Sequence, residues 1–176
     1  KQVVYMGIAG AVNPAWQPGD VIVPARWYYH DESVYTNFDK QSGEYVLPSY
    51  YAKFMAEQPE RKAKDPHYPN YKPFEFIHPD EVLIIKDGMD EPQDTAYFSA
   101  TPRLLSAAQR ALDSMATQRV LGEREAQLSV GGNGITGSVF MDNRDYRQWA
   151  RDVFNAEVTE MESAAVGQVC TINDVD

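Results

Sequence analysis

Residues 127–170 read QLSVGGNGITGSVFMDNRDYRQWARDVFNAEVTEMESAAVGQVC, and this stretch decides the fold. Gln127 to Val130 reads as a strand, and Gly131-Gly132-Asn133-Gly134 as a turn. Ile135 to Phe140 is strand-like. Asp142 or Asn143 can cap a helix over Arg144 to Phe154, with Tyr146, Trp149, Ala150 and Val153 on one side at the helical period. Glu157 to Glu160 is short and extended. Ser163 to Cys170 is small and apolar, which suits a helix packed tightly against a sheet. Strands alternating with helices predict an α/β layered fold.

Working outward, Thr101-Pro102 starts another helix, with Thr as cap and Pro at the first helical position. Its expected apolar face is Leu104, Leu105, Ala108, Leu112 and Met115. Val82 to Lys86 and Asp20 to Pro24 read as short strands, the second of them buried. Residues 2 to 6 read as a buried strand running into Gly7-Ile8-Ala9-Gly10-Ala11. Between Trp27 and Gln93 the chain is aromatic and polar. Pro59, Pro66, Pro69, Pro73 and Pro79 interrupt helices there, although Ser49 to Gln58 can form one. The chain reads as a single domain over 1–176, with an ordered insertion or lid at about 32–95. Both ends read as cut.

Net charge is −10, with 16 Lys and Arg against 26 Asp and Glu. That balance lacks the clustered cations a duplex-binding surface needs, and it repels anionic membranes. No apolar run approaches a membrane span. A neutral or cationic small molecule fits best. Cys170, the single cysteine, has no disulfide partner in the chain and no zinc-ligand spacing around it; it is expected to be a buried apolar residue. No metal or cofactor is expected. His67 and His78 are expected at the surface or in loops. His30 has Asp31 beside it to orient the imidazole. No Gly-x-Ser-x-Gly elbow accompanies it, so a Ser-His-Asp triad is not supported.

Three segments could carry chemistry. The strand-end loop around Ala9 and Gly10 lets backbone N–H groups approach an anion or sugar, or is simply a tight turn. Glu160-Met161-Glu162 places two acids around a Met where a strand meets a helix. A carboxylate there can accept from a vicinal diol with the Met beneath the sugar, or the acids merely complement the helix dipole. Phe140, followed by Met141, can stack on a purine at a strand exit, or can be core.

Taken in order, Gly7-Ile8-Ala9-Gly10, Pro18-Gly19-Asp20-Val21-Ile22-Val23, Phe98 to Leu105 and Val158 to Cys170 resemble the nucleoside phosphorylase and nucleosidase superfamily. Tyr28-Tyr29-His30-Asp31 is similar to a segment of the 5′-methylthioadenosine/S-adenosylhomocysteine nucleosidases. Gly134 to Phe140 and Met161 to Ala165 also resemble the plant bark and vegetative storage proteins. The resemblance implies a three-layer α/β sandwich with a central mixed sheet, truncated here at both ends. It implies a purine nucleosidase; a purine nucleoside phosphorylase and a non-catalytic storage or nucleoside-binding relative are the alternatives. Glu162 would bind the ribose hydroxyls with Met161 beneath the sugar. Phe140 would stack on the purine, the Met141 backbone would meet the base edge, and Ala9 and Gly10 would line the sugar and nucleophile site. The family's purine-protonating Asp would lie beyond Asp176, and half the nucleophile site before Lys1, so the catalytic groups themselves are unassigned. Ile8 stands where the family often has Ser or Thr, which weakens phosphorolysis. A homo-oligomer, a dimer for instance, is implied. The compartment is unassigned, with the cytoplasm as default.

Overall fold

The computed structural model describes residues 1–57, 72–115 and 124–176. Its strands are β1 (Gly10–Ala11), β2 (Val21–Val23), β3 (Arg26–Tyr29), β4 (Ser33–Tyr35), β5 (Asn37–Asp39), β6 (Glu44–Val46), β7 (Ile77–Pro79), β8 (Val82–Ile84), β9 (Gln93–Thr95), β10 (Tyr97–Ser99), β11 (Leu128–Val130), β12 (Asn133–Thr136) and β13 (Ala156–Glu160). The helices are α1 (Ser49–Glu57), α2 (Pro102–Ser114), α3 (Arg144–Phe154) and α4 (Ser163–Ile172). The central sheet runs β1-β13-β12-β3-β10. Its inner three strands are parallel, and both edge strands are antiparallel to their neighbours. It is the mixed sheet of an α/β fold.

Side-chain alternation along β3 sorts the two faces. Tyr28 points to the α3 side, where it joins Val12, Ile135, Trp149, Ala150, Val153, Phe154 and Ala156 in one buried cluster. Trp27 and Tyr29 pack on the other side with Ile84, Phe98 and Ala164 of α4. Helices therefore cover both faces of the sheet. The α3 expectation holds residue for residue: Asn143 Oδ1 accepts from the Tyr146 N–H at 2.9 Å, and Trp149, Ala150 and Val153 are buried. Thr101 caps α2 through the Leu104 N–H. The apolar face of α2 is another matter. Among the described residues none of it is fully buried, and Met115 is exposed.

β2 leads into β3, and β11 into β12, with a bend at Gly131-Gly132. Both glycines have positive φ, 117° and 73°. A Cβ on Gly132 would stand 2.7 Å from Glu157 Cγ, so only glycine fits there.

Several sequence expectations are corrected. Residues 2–6 form no strand: pairing begins at Gly10, and Val3, Val4, Tyr5 and Met6 are exposed. An apolar run becomes a buried strand only where neighbours cover it, and among the described residues the Val3 N–H meets only the Asp176 carbonyl. Arg26–Tyr29, at the start of the stretch read as aromatic and polar, and Tyr97–Ser99, ahead of the helix expected from Thr101, are strands of the main sheet. The strand read over Ile135 to Phe140 ends at Thr136, because the Ser138 N–H goes to the Asp31 side chain instead of a ladder. Cys170 is half-buried. His78 is buried in β7, with Nδ1 3.1 Å from the Pro79 carbonyl. His67 and Gln58 lie outside the described residues. The described residues of 32–95 build three antiparallel ribbons, β4/β7, β5/β6 and β8/β9, and α1.

Two carboxylates bolt the loops to this frame. Glu157 accepts from Asn13 Nδ2, Trp16 Nε1 and Arg151 Nη1 at 2.7–2.9 Å. Burial pushes the Glu157 carboxyl up, but the Trp16, Asn13 and Arg151 contacts outweigh it and hold the group below its usual range. Asp20 behaves likewise: burial opposes, while the Gln127 N–H, Arg124 and the Gln17 N–H prevail. With folded-state values below the unfolded ones, both stabilise the fold above the ordinary carboxylate range. That stabilisation is lost as pH falls through their depressed values. The urea midpoint is therefore expected to drop between about pH 5 and pH 3, and the drop should shrink in Glu157→Gln. An equally steep acid loss in the variant would refute the assignment for Glu157.

Candidate functional site

Strands β3, β12 and β13 run parallel, so their carboxyl ends share one edge of the sheet. In open α/β sheets that edge is where ligands bind. His30 and Asp31 follow β3, Gly137 to Met141 follow β12, and Glu160 ends β13 ahead of Met161 and Glu162. β1 pairs Gly10 with Thr159, which brings Ala9 and Gly10 to the same edge. The structure thus gathers Ala9, Gly10, Phe140, Met141, Glu160, Met161 and Glu162 at one end of the sheet.

The two acids differ sharply. Glu160 folds back onto the start of α4. It accepts from the Glu162 N–H, from the Ser163 N–H and hydroxyl, and from the Thr136 hydroxyl. Thr136 Oγ1 in turn accepts from the Ala164 N–H at 2.9 Å. Three of the orphan N–H groups at the helix start are satisfied this way. Glu162 is the N-cap residue of α4, yet its side chain makes no capping bond. Its carboxylate is exposed, and Oε2 accepts only from Tyr5 Oη, at 3.2 Å, among the described residues. Burial, then the Glu162 hydrogen bond, raises the Tyr5 phenol above its ordinary value.

Phe140 is 93% exposed, so it is not core. Met161 is also exposed, whereas Met141 packs against the α3-side cluster. Next to this loop Met141, Asp142, Asn143, Arg144 and Arg147 line an open cavity of about 150 Å³. Arg26 sits at the opposite end of β3, stacked over the Tyr97 ring at 4.8 Å.

Behind the loop, His30 is 2% exposed. Tyr146 Oη donates to the His30 carbonyl and lies 2.9 Å from Nδ1. A hydroxyl has one proton to give, so with that proton on the carbonyl the Nδ1–H tautomer is the one that completes the contact to Tyr146. Nε2 is buried against Gly137 and, among the described residues, has no hydrogen-bond partner. Burial lowers the His30 pKa, and the Asp31 charge opposes that only in part. The expectation that Asp31 orients the imidazole is corrected: Tyr146 does so, and Asp31 Oδ2 accepts from the Ser138 N–H at 2.7 Å. Sequence reading missed Tyr5, Thr136 and Tyr146 at this edge. Only the small residue Gly137, flanking the strand end, hinted at a close approach.

The phosphorylase superfamily model matches residues 1–176. No curated protein matches the chain. Among solved structures, a 5′-methylthioadenosine/S-adenosyl homocysteine nucleosidase of Helicobacter pylori, in complex with a pyrrolidine compound, aligns with a TM-score of 0.57 and 18% identity over 99% of this chain and 50% of its own. A futalosine hydrolase mutant of Helicobacter pylori gives 0.55 and 16% over 96% and 50%. A mutant of the Helicobacter pylori nucleosidase with 5′-methylthioadenosine in the active site gives 0.55 and 16% over 99% and 51%. At these identities the likeness is one of fold, and the chain spans about half the length of these proteins. Among the described residues no helix is long and apolar enough to cross a membrane.

Proposed function

The chain belongs to the phosphorylase superfamily, and on that premise we propose that the protein hydrolyses the N-glycosidic bond of a purine nucleoside such as 5′-methylthioadenosine or S-adenosylhomocysteine. The observation that carries this reading is the unequal pair of acids. Glu160 spends its oxygens on the helix start, and Glu162 keeps an exposed carboxylate at the carboxyl edge of the sheet. A carboxylate with open lone pairs is the group a vicinal diol needs. Glu162 binds the ribose hydroxyls, Met161 lies beneath the sugar, and Glu160 sets the geometry of both from behind. Phe140 stacks on the purine, the Met141 backbone meets the base edge, and Ala9 and Gly10 line the sugar. Residues 1–176 act as one unit, with 32–95 as an insertion in it.

In the reaction the C1′–N bond breaks and its electron pair leaves on the purine, which takes up a proton. The ribosyl cation is trapped by a water oxygen, and that water loses a proton. Hydroxyl contacts to Glu162 that strengthen as positive charge builds on the sugar lower the barrier. Phosphorolysis is the second reading. The cavity flanked by Arg144 and Arg147 favours it; the placement of Arg26 at the far edge and the apolar Ile8 oppose it.

The test is turnover of 5′-methylthioadenosine by the full-length protein in phosphate-free buffer. Adenine release at a rate that added phosphate leaves unchanged is the expected result. A rate that rises in proportion to phosphate would mean phosphorolysis, and adenine binding without release would mean a non-catalytic relative.

A further inference from the structure

The loop that follows β12 has a mechanical problem. From Gly137 to Asn143 the chain is in neither strand nor helix, and at its tip Phe140 is 93% exposed. A free loop bearing one aromatic ring would lose much conformational entropy on stacking against a base. The structure shows how this loop is held. The Gly137 N–H donates to the Glu160 carbonyl at 3.1 Å. The Gly137 α-carbon is packed against the His30 ring so closely that a Cβ would fall 2.3 Å from Nε2. The Ser138 N–H donates to Asp31 Oδ2 at 2.7 Å, a short bond to a charged acceptor. Beyond the tip, Met141 is packed on the core and Asn143 caps α3.

The Asp31 contact is the one that reaches furthest into the loop from the neighbouring strand. Asp31 is itself exposed, but it follows directly on His30, which is not free to move. That imidazole is buried, and Tyr146 bonds both its Nδ1 and its backbone carbonyl. The His30 N–H also donates to the Thr136 carbonyl at 2.9 Å, tying the end of β3 to the end of β12. The Asp31 backbone therefore starts from a fixed point, and its carboxylate transmits that fixity to the residue two before Phe140.

We propose that Asp31, anchored by the buried His30–Tyr146 pair, is the positioning residue that presets the 137–141 loop for a planar purine base. This rests on the nucleosidase reading and extends it by naming what makes the base subsite rigid. Asp31 touches no substrate; it acts through the Ser138 amide. Its loss should weaken contacts to the base and leave the sugar contacts of Glu162 alone. Because the acceptor is a single oxygen facing one N–H, an Asn can replace it by presenting its amide oxygen, and an Ala cannot.

The test uses the full-length protein and three readouts: adenine binding by calorimetry, KM and kcat for 5′-methylthioadenosine, and the thermal midpoint. Asp31→Ala is expected to weaken adenine binding and raise KM about tenfold with kcat within about twofold, and Asp31→Asn to recover most of the loss. Asp31→Leu, of similar shape and without an acceptor, replaces the Ala variant if that one does not fold. A wild type that works, with Asp31→Ala binding adenine as tightly, overturns the proposal and leaves the nucleosidase reading intact. So does a loss in Asp31→Ala that Asn does not recover. A wild type that neither binds adenine nor turns over overturns both.

Discussion

Replacing Glu162 by Ala is expected to lower kcat/KM for the nucleoside roughly a hundredfold or more and to leave the thermal midpoint nearly unchanged. The first half follows from the number and kind of bonds lost. Two sugar hydroxyls on one carboxylate are two charge-assisted hydrogen bonds, each worth about 1.5–3 kcal/mol. At about 1.4 kcal/mol per factor of ten, losing both costs roughly two orders of magnitude or more in transition-state binding. The second half follows from the fold. Glu162 is the N-cap residue of α4 but its side chain makes no capping bond, and among the described residues its one side-chain hydrogen bond comes from the exposed Tyr5 phenol. Glu160 gives the opposite pattern. Its carboxylate receives the Glu162 and Ser163 amides and the Thr136 and Ser163 hydroxyls, so Glu160→Ala should lower the thermal midpoint as well as activity. The pair of variants separates binding from scaffolding. Wild-type kcat/KM in Glu162→Ala would remove Glu162 from the sugar site.

That separation was not legible in the sequence. Glu160 and Glu162 are two residues apart around one methionine, and composition treats them alike. Which one turns back onto the helix start depends on the register between β12 and β13, which sets Thr136 opposite Glu160. The helices were far more legible. Thr101-Pro102 and Asn143 are local chemical statements, and the periodic positions of α3 face the core because the period alone selects a side. The aromatic strands misled for the converse reason. Trp27, Tyr28 and Tyr29 sit in a strand covered on both faces, so no polar–apolar alternation marks it, and bulky aromatic residues are at home in such a strand. The apolar run at residues 2–6 misled because hydrophobicity reports what a segment could bury, not whether a neighbour is there. Gathering seven candidate residues at one sheet edge needed strand order, which no single segment encodes.

Gly137→Ala is expected to cost about 3 kcal/mol of stability, the largest effect of any single methyl group at this edge. An added Cβ would lie 2.3 Å from His30 Nε2, 2.7 Å from Cε1 and 2.9 Å from Cδ2, so it meets the ring edge-on rather than at one corner. Relief would need the imidazole to swing away, and three things prevent that. His30 is 2% exposed, Tyr146 holds it at Nδ1, and the Tyr146 ring is packed against both Phe74 and Trp149. Gly137 cannot yield either, since its N–H is committed to Glu160. For a chain of this size each kcal/mol moves the midpoint by about 2–4 °C, so a fall of roughly 6–12 °C is expected. Backbone conformation does not add to this: Gly137 is not among the residues with positive φ. The cost is therefore steric and should be relieved from the other side. In the double variant Gly137→Ala with His30→Ala, the two losses should add to less than their sum by about 1 kcal/mol or more, because the methyl fills part of the space the ring vacates. Strict additivity would mean that the Gly137 backbone moves independently of His30. In that case the imidazole would not be what fixes the start of the loop.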